Sequence, residues 1–340
     1  MSTEMSEEAT GCFVVVVAYH GERWIASCLD TLAESVRHSD RLCLVDNSGN
    51  GESIPDEYPA CPYLILNTPR PLGFAEANNY ALRHGGIDEE AICFLNQDTI
   101  SVPGWVEACL DCLRADSSIG AIAPLLRNYD DNGWDPNFLA CSKASQELSG
   151  SLGDGEFLRD FYELPNVTAA ALIVRTEVLQ EVGPFDPVYG SYYEDYDLCL
   201  RIRRAGYRVG VCGNASVRHF SGSSTTTPAA ERKRMRQVLR NRAIYNFREM
   251  GSRRLSAIAS YFGATVPRNL LRGLLRTPSS QPVGVQVSAI ADLVRDLPRF
   301  ASERADSLAW RSYLDELGWP SNDRVAHSGS LERPDSKVDC

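Results

Sequence analysis

The first part of the chain alternates between apolar runs and amphipathic segments. Residues 12–18, CFVVVVA, form a β-branched apolar run that predicts a buried parallel strand. Apolar residues then recur at helical spacing from Trp24 to Leu32, which predicts a helix packed on that strand. This alternation is typical of an α/β fold in which helices flank a mainly parallel central sheet, with ligand sites at the carboxyl ends of the strands. Further strands are predicted at 42–45, 63–66, 91–95 and 119–126, and further helices near 74–84 and 103–114.

The pattern is lost between residues 127 and 165 and then resumes. This stretch is rich in Asn, Asp, Ser and Gly, which predicts an insertion or a flexible flap of the kind that often contacts substrates. Beyond it, apolar residues at helical spacing predict a helix at 198–205 that ends at Gly206. The remaining predicted elements of this region are strands at 167–175, 207–212 and 215–218 and a short helix near 176–182.

Pattern and composition divide the 340 residues into four segments, which is enough chain for one large domain and an appendage. Residues 1–11 are acidic and polar and predict a disordered N-terminus, and residues 12–227 contain the α/β domain. Residues 228–320 predict a basic helical appendage. Residues 321–340 lack periodicity and predict a disordered tail.

Charge is distributed unevenly between the α/β domain and the appendage. The formal net charge of the whole chain is −11, yet residues 228–340 hold 19 Lys and Arg against 12 Asp and Glu. The acidic body argues against nucleic-acid binding, whereas the basic appendage predicts contact with an anionic membrane surface. The alternative is that the appendage packs on the acidic domain and pairs its arginines internally.

Cysteine content and hydropathy indicate the compartment. Several of the 11 cysteines lie inside apolar runs, as expected of reduced and buried thiols. The sequence has no apolar run near the roughly 18 residues that a membrane-spanning helix needs. We therefore predict a cytoplasmic protein, which would be peripheral on the inner face of the cell membrane if the appendage binds lipid.

The densest group of charged residues lies at 192–207, which reads YYEDYDLCLRIRRAGY. Glu194, Asp195 and Asp197 precede or open the helix predicted there, and arginines follow them. Acids at a helix N-terminus offset the positive end of its dipole, so a well-capped surface helix is the simplest interpretation. A catalytic interpretation gains weight because other polar groups follow predicted strands elsewhere in the chain.

Three such polar side chains are Asp46, Asp98 and His219. A carboxylate in the turn at Asp46 can accept a hydrogen bond from a base N–H or a ribose hydroxyl. A hard oxygen ligand at Asp98 can hold Mg²⁺ or Mn²⁺ against a diphosphate. Each has a structural alternative, which is a turn-stabilising aspartate for the first two and a structural histidine for the third. Taken together, they predict a metal and sugar-nucleotide site.

The order of these motifs resembles that of the inverting glycosyltransferases of family 2, which have the GT-A nucleotide-sugar-binding fold. The similarity covers about residues 13–224 and is closest to the bacterial rhamnosyltransferase-like branch. Each motif alone is weak, but seven in the same order are very specific. The matching stretches are VVVVAY at 14–19, VDNS at 45–48, Asn67 with LGFA at 72–75 and NN at 78–79, LNQDT at 95–99, GPFD at 183–186, EDYDLC at 194–199 with Arg201 and RAGY at 204–207, and VRH at 217–219 with Gly222.

The resemblance implies roles for individual residues. Asp195 would be the catalytic base, and Glu194 beside it would orient the acceptor or the loop. Asp98 would bind Mg²⁺ or Mn²⁺, and His219 would complete the protein ligands of that ion. The donor-binding residues that the resemblance implies are Tyr19, Asp46, Asn47, Gly73, Asn78 and Asn96, with Asp46 contacting the base.

Two positions depart from the family pattern. Asn96 replaces the usual first acid of the family's acidic triplet, and His20 stands where many members have Asn. The first change can alter the contact with the ribose, but a neutral residue is familiar there in this branch. Neither departure implies loss of activity.

The reaction implied is metal-dependent, inverting transfer of a sugar from a nucleoside-diphosphate donor to a cell-surface polysaccharide or its lipid-linked precursor. Branch resemblance favours dTDP-rhamnose as the donor, and a UDP-hexose or UDP-galactofuranose stays open. A non-catalytic carbohydrate- or nucleotide-binding module is a weaker hypothesis, because Asp98 and Asp195 are both present. A nucleotidyltransferase would need a Gly-rich basic phosphate loop after the first strand, and residues 19–23 hold a single glycine.

Overall fold

A β-sheet forms the centre of the molecule. The computed structural model describes residues 11–51, 54, 63–157, 159–221, 227–275, 282–301 and 308–319. The strands within these residues are β1 (Cys12–Ala18), β2 (Arg41–Asp46), β3 (Tyr63–Asn67), β4 (Ala91–Asn96), β5 (Thr99–Ser101), β6 (Ile119–Asn128), β7 (Phe161–Glu163), β8 (Ala171–Arg175) and β9 (Arg208–His219). Their order is β3-β2-β1-β4-β8-β6-β9-β5, and β7 also pairs with β9. The segments predicted to be disordered at the two ends of the chain lie outside the described residues, apart from Gly11.

Strand directions in the sheet are mixed, because β8 runs against the strands on both sides of it. β1 lies parallel to β2 and β4, and β2 lies parallel to β3. β8 runs antiparallel to both β4 and β6, whereas β9 runs parallel to β6. The α/β fold is confirmed, but the sheet is mixed rather than mainly parallel. Apolar runs could not reveal this difference, because a strand buried on both faces has the same pattern in either direction.

Helices flank the sheet, and α1, α2 and α3 bury apolar side chains in the same core as β1 and β4. A 3₁₀ turn at Gly251–Arg253 and a π-helical turn at Tyr261–Thr265 flank α9. The α-helices of the described residues are α1 (Ile25–Ala33), α2 (Phe74–His84), α3 (Trp105–Ala115), α4 (Pro136–Ser142), α5 (Gln146–Asp154), α6 (Thr176–Val182), α7 (Glu194–Arg204), α8 (Pro228–Glu249), α9 (Arg254–Ser260), α10 (Val266–Leu274), α11 (Val283–Ala301) and α12 (Leu308–Leu317).

The stretch 127–165 is more regular than its composition predicted. α4, α5 and β7 all lie within it. Asp135 caps α4 by accepting two backbone hydrogen bonds, and Ser145 caps α5 by accepting one from Leu148. These helices are too short to show a clear apolar period, so their capping residues were the available signal. The stretch therefore contains regular elements despite its lack of periodicity, and its role as an insertion or a flexible flap stays a prediction.

Two element boundaries also differ from prediction. α7 begins at Glu194, four residues before the predicted start, so the acids of this segment lie in its first turn. β9 is one strand of 12 residues where two were predicted. Its register against β6 shifts so that residues 213–215 have no partner there, and this irregularity lets a strand continue through Gly213 and Asn214.

The appendage packs against the α/β domain through α8. Ile244, Tyr245 and Phe247 are buried in a second hydrophobic cluster that also contains Tyr189 and Leu200 of the α/β domain. The stretch of sequence that best matched a lipid-binding helix therefore has its apolar residues covered by protein. Within the described residues, no helix combines the length and the apolar character needed to cross a bilayer.

Arginines of α8 pair with acids on neighbouring elements. Arg240 lies 2.5 Å from Asp296 of α11, and Arg236 pairs with Asp292 one turn earlier in the same helix. These contacts agree with the alternative in which the appendage pairs its arginines internally. For this part of α8, we conclude that packing on the rest of the protein takes precedence over membrane contact.

A buried ionic network joins α8 to α7. The Arg248 guanidinium donates from Nη1 to Asp186 at 2.8 Å and to Asp197 at 2.9 Å. Arg201 donates from Nε to the other Asp197 oxygen at 2.9 Å, and from Nη1 and Nη2 to the three carbonyls of residues 182–184. The two aspartates hold the pKa of Arg248 well above its ordinary value although burial opposes this. Both ends of α7 are thus fixed by charged groups that have partners.

Replacing Arg248 with Leu should destabilise the protein by about 3–5 kcal/mol, because Asp186 loses its cation and Asp197 keeps one of two. Denaturant-induced unfolding measures this difference. Arg242→Leu is the matched control, since Arg242 is an exposed arginine of the same helix, and it should change stability by less than about 0.5 kcal/mol. Equal losses in the two variants would contradict a network role for Arg248.

Candidate active site

The ends of three adjacent strands bring predicted donor residues together. In the parallel pairing of β1 with β2, Ala18 lies opposite Asp46, and in the pairing with β4, Val17 lies opposite Asn96. Tyr19 follows β1 directly, so it leaves the sheet between the other two strand ends. The carboxyl ends of these parallel strands therefore place Asp46, Tyr19 and Asn96 along one edge, where ligands of open α/β sheets bind.

The Gln97 side chain ties two loops of this edge together. Its Oε1 accepts the Tyr19 backbone N–H at 2.9 Å, and its Nε2 donates to the Tyr19 carbonyl at 2.8 Å. The amide thereby makes the same two hydrogen bonds as a neighbouring strand would make. As a result, the loop after β1 is fixed to the turn that carries Asp98.

Asp98 and His219 face each other because β5 pairs antiparallel with β9, which places Thr99 opposite His219. His219 Nε2 lies 3.6 Å from Asp98 Oδ1 and 3.5 Å from the Asn96 side-chain nitrogen. The other ring nitrogen, Nδ1, lies 2.9 Å from Asp135 Oδ2, and Asp135 is fully buried. The imidazole is therefore held between two carboxylates, one in the core and one at the edge of the sheet.

The charge of His219 depends on these neighbours. Burial disfavours the charged ring, but hydrogen bonds to Asp135 and Asp98 and the charges of both acids outweigh it and raise the pKa to about 9. The ring is therefore a cation near neutral pH when it has only these partners. A metal ion bound at Nε2 would replace that proton, since only the neutral nitrogen is a ligand.

The residues at this place fit a divalent cation. Asp98 offers a carboxylate oxygen and His219 an imidazole nitrogen on facing strands, a donor pair that suits Mn²⁺ and, with fewer protein ligands, Mg²⁺. Asp135 accepts from Nδ1 and so turns Nε2 towards Asp98, as a partner of a metal-binding histidine does. In the part of the chain that the structure describes, no group of three or more His, Cys, Asp or Glu could hold a metal ion. A cation here would therefore need substrate phosphates and water as further ligands.

Asp195 lies in the first turn of α7 and is partly exposed. Its Oδ2 accepts the Ala169 N–H at 3.1 Å, and its Oδ1 accepts the Tyr196 N–H at 2.8 Å. Ala170, next to the first of these, accepts the Asn96 N–H at 2.9 Å, which connects Asp195 to the strand-end edge. Burial raises the pKa of Asp195 to about 6, although the backbone donors oppose the change. The carboxylate is thus ionised at neutral pH and more basic than an ordinary aspartate.

Glu194 has a different environment from its neighbour. It is 5% exposed, and among the described residues its Oε2 has no hydrogen-bond partner. Burial, followed by the negative charge of Asp195, raises the pKa of Glu194 well above its ordinary value. The two adjacent carboxyls therefore both have raised pKa values but differ in their surroundings, since Asp195 accepts two backbone hydrogen bonds and Glu194 Oε2 has no partner among the described residues.

The turn before α7 has a strained backbone that α8 supports. Tyr192 and Tyr193 have φ angles of 71° and 73°, in the left-handed region that tyrosine seldom adopts. The buried amide of Asn241 donates to the carbonyls of Tyr189, Ser191 and Tyr192 at 2.7–2.8 Å. Strained backbone of this kind persists where surrounding contacts enforce it, often at functional sites.

Asp46 and Asn47 both make contacts within the protein. Asp46 Oδ1 accepts the Ser48 N–H at 2.9 Å, which is the turn-stabilising alternative for this aspartate. The Asn47 amide bonds both the N–H and the carbonyl of Leu72, at 2.8 Å and 3.1 Å. We infer that Asn47 acts by placing the loop that leads to α2. Contact of either residue with a nucleotide stays a prediction.

Gly73 and Asn78 also have structural contacts. A Cβ at Gly73 would lie 2.8 Å from the carbonyl oxygen of Gly190, so the two backbones touch at this point. That carbonyl accepts the Ala75 N–H at 2.8 Å, at the first turn of α2. Asn78 is 1% exposed and donates to the Phe74 carbonyl of its own helix at 2.9 Å. Donor binding by Gly73 and Asn78 therefore stays a prediction, and the contacts described here assign both residues to packing around the site.

Three residues of this arrangement were not identified from the sequence. Asp135 lies in the segment without periodicity, where its place before Pro136 indicated a helix cap but nothing indicated a histidine partner. Gln97 lies inside a matched motif, yet its neighbours Asn96 and Asp98 were the ones given roles. Asn241 lies in the basic helix, and its contacts cross about 50 residues of sequence. Such long-range pairs leave no local pattern.

Comparison with known proteins agrees with this arrangement. Residues 10–240 match the family described as glycosyltransferase like family 2. An N-acetylglucosaminyl-diphospho-decaprenol L-rhamnosyltransferase of Mycobacterium tuberculosis is 26% identical over 242 residues, which cover 62% of this chain and 76% of that protein. The galactofuranosyltransferase GlfT1 of the same species is 26% identical over 231 residues, which cover 64% and 72%. The structure of the mannosyltransferase PcManGT from Pyrobaculum calidifontis in complex with GDP-Man and Mn²⁺ has a TM-score of 0.51 at 16% identity, covering 91% of this chain and 84% of that one.

The family match extends over the whole sheet, the strand-end edge and the first half of α8. The similarity to the solved structure, at low identity, supports the GT-A fold alone. The residues expected at a GT-A site meet at one edge of this sheet, and the match covers well over half of the chain. The chain therefore belongs to glycosyltransferase-like family 2 and is a glycosyltransferase with the GT-A fold.

Proposed function

We propose that this glycosyltransferase is a metal-dependent, inverting enzyme that transfers rhamnose from dTDP-rhamnose to a cell-surface polysaccharide or its lipid-linked precursor. The observation that carries the proposal is the ionised Asp195 connected through Ala170 and Asn96 to the edge that holds Asp98 and His219. This arrangement can place a proton acceptor beside a bound nucleoside-diphosphate sugar.

Asp195 is the proposed general base. Its carboxylate takes the proton of an acceptor hydroxyl as that oxygen attacks the anomeric carbon. A new glycosidic bond forms while the bond to the diphosphate oxygen breaks, and the nucleoside diphosphate leaves from the opposite face. A single displacement inverts the anomeric centre. The raised pKa of Asp195 makes it a stronger proton acceptor, and the two backbone N–H groups keep it oriented.

Asp98 and His219 are the residues that would hold Mg²⁺ or Mn²⁺. A bound divalent cation neutralises charge that develops on the leaving diphosphate. Asp135 orients the imidazole through Nδ1, and Gln97 keeps the turn at Asp98 fixed to the loop after β1. In this proposal Asp46, Tyr19 and Asn96 contact the nucleoside. Asn47, Gly73 and Asn78 support the loops around it.

Rhamnose is favoured as the donor sugar because the mycobacterial relative is named as a rhamnosyltransferase that acts on a diphospho-decaprenol acceptor. UDP-galactofuranose is the second candidate, since GlfT1 has the same percentage identity. The name of the rhamnosyltransferase supports a lipid-linked acceptor. A cytoplasmic site of action is part of the proposal. Nucleic acid has no part in the proposal.

A panel of nucleotide sugars should identify the donor by release of nucleoside diphosphate in the presence of Mn²⁺ and a mixed glycan-lipid acceptor. We expect the largest release with dTDP-rhamnose.

Asp195→Asn should lose turnover on the order of 10²–10⁴-fold, because only the base is removed. Donor affinity should stay near the wild-type value in that variant. No release with any donor, or wild-type turnover in Asp195→Asn, would contradict the proposal.

The pH dependence of turnover should report Asp195. Because burial raises its pKa to about 6, the base is protonated at lower pH, and kcat/KM should fall below about pH 6. Glu194→Gln is the control, and it should keep this acid limb at the same pH whatever its effect on the rate. A profile that is flat down to about pH 4 would show that Asp195 is not the titrating base.

The free energy of unfolding should depend on the ionisation of Asp195 in the opposite way to turnover, because it decreases with rising pH where turnover increases. The folded pKa is raised, so the stability linked to neutral Asp195 is fully present below its unfolded pKa of about 4 and is lost as pH rises through about 6. Relative to wild type, Asp195→Asn should therefore gain unfolding free energy between about pH 4 and 7. Denaturant unfolding at several pH values measures this, and a constant difference would be the contrary result.

Asp135→Asn should weaken metal binding without removing a ligand. The amide cannot hold the Nδ1–H of His219 as the carboxylate does, so we expect a loss of about 10–100-fold in Mn²⁺ affinity. Calorimetric titration with Mn²⁺ and donor measures this affinity directly. Asp98→Ala should lose more, because it removes a ligand, and Asp131→Asn should lose nothing, because Asp131 is exposed and pairs with Arg127.

A further inference from the structure

The segment from α9 to α10 exposes large apolar side chains. The outer surface of this segment has four leucines, and we call these residues the leucine face. They are 56–68% exposed, whereas other large hydrophobic residues of the described chain are mostly buried. The members of the leucine face are Leu255, Leu271, Leu274 and Leu275.

The opposite side of this segment is already packed. Ala257, Ile258, Tyr261 and Phe262 contact the hydrophobic cluster of α8, and the Tyr261 ring lies 5.3 Å from that of Phe247. Residues 271, 274 and 275 share one face of α10 because they lie three or four positions apart, and the described residues leave these leucines exposed, as they leave Leu255. The leucine face is therefore not an unpacked core surface but a second apolar side of a helix whose first side is covered.

The charged side chains in the sequence segment that carries the leucine face are all basic. From residue 250 to residue 291 the sequence has no Asp or Glu for 42 residues, although the whole chain has 45 acids in 340. Five arginines fall in this stretch, and Arg253 and Arg268 are exposed next to the leucines. A protein partner that recognises apolar side chains alone would not require an excess of basic residues. A surface that is both anionic and apolar would require it.

We propose that the leucine face and its flanking arginines are a docking surface for an anionic lipid bilayer. Leucines on one side of an interfacial helix enter the boundary between headgroups and acyl chains, and arginines beside them attract anionic headgroups. This assigns the membrane contact to α9 and α10 rather than to α8, where Arg236 and Arg240 pair with acids of α11 and Ile244, Tyr245 and Phe247 are buried. The inference adds the lipid partner to the proposed function and does not depend on the identity of the donor.

Sedimentation of the full chain with vesicles tests the proposal. We expect binding to vesicles that contain phosphatidylglycerol, weaker binding to pure phosphatidylcholine, and a decrease at about 0.15 M salt. Leu274→Gln with Leu275→Gln should lower the bound fraction at least about tenfold. Arg253→Gln with Arg268→Gln should lower binding to the anionic vesicles on the order of tenfold and reduce its dependence on salt.

Ile65→Gln with Leu139→Gln is the matched control, because both residues are exposed apolar side chains of the α/β domain, at 40% and 37%. This pair should bind vesicles as wild type does. Thermal unfolding of every variant shows whether it is folded, and diphosphate release from a soluble donor tests the enzymatic proposal separately. Absence of wild-type binding to anionic vesicles, or wild-type binding by the leucine variant, would overturn the proposal. A concentration-dependent dimer that the leucine variant loses, without vesicle binding, would assign the face to a second copy instead.

Discussion

The active site depends on how the loop at 187–193 is held between two helices. On one side its Gly190 carbonyl accepts from the first turn of α2, and on the other its carbonyls accept from Asn241 of α8. The second contact enforces the left-handed backbone of Tyr192 and Tyr193, which aims the first turn of α7 at the sheet. The helix α8, which the sequence assigned to a separate appendage, therefore supports the loop that precedes the proposed catalytic residues.

The contacts of the loop at 187–193 with α2 and α8 explain why the two neighbouring acids, Glu194 and Asp195, differ in exposure and in hydrogen bonding. The turn that starts α7 sends Glu194 into the protein and leaves Asp195 partly exposed, bonded to Ala169. A helix that began at residue 198, as apolar spacing suggested, would have placed both acids before the helix rather than in its first turn. The difference in exposure between the two carboxyl groups therefore depends on the backbone of the preceding loop.

The sequence predicted most of the fold and the position of the site along the chain. β1, β2 and α2 were placed within a residue or two, because long apolar periods and parallel strand runs are strong local signals. Strand direction and the short helices α4 and α5 were not predicted, and the packing of α8 was left as an alternative to membrane contact. Strand direction and the packing of α8 depend on partners far away in sequence. The same holds for Asp135, whose bond to His219 spans 84 residues. Local sequence motifs identify the groups that can react, whereas contacts between residues distant in sequence determine the orientation and charge of those groups.

The contact between Gly73 and Gly190 has a consequence for how this sequence can vary. The two positions are 117 residues apart, yet the Gly190 backbone leaves no room for a side chain at position 73, because a Cβ at Gly73 would meet that backbone at 2.8–3.0 Å. Gly190 also has a φ of +67°, which further restricts its replacement. Homologous chains that carry a larger residue at position 73 must have moved the loop before α7 away from α2. In such chains the distance between α2 and the first turn of α7 would differ, so the residue at position 73 can serve to separate members of the family by the geometry of this loop.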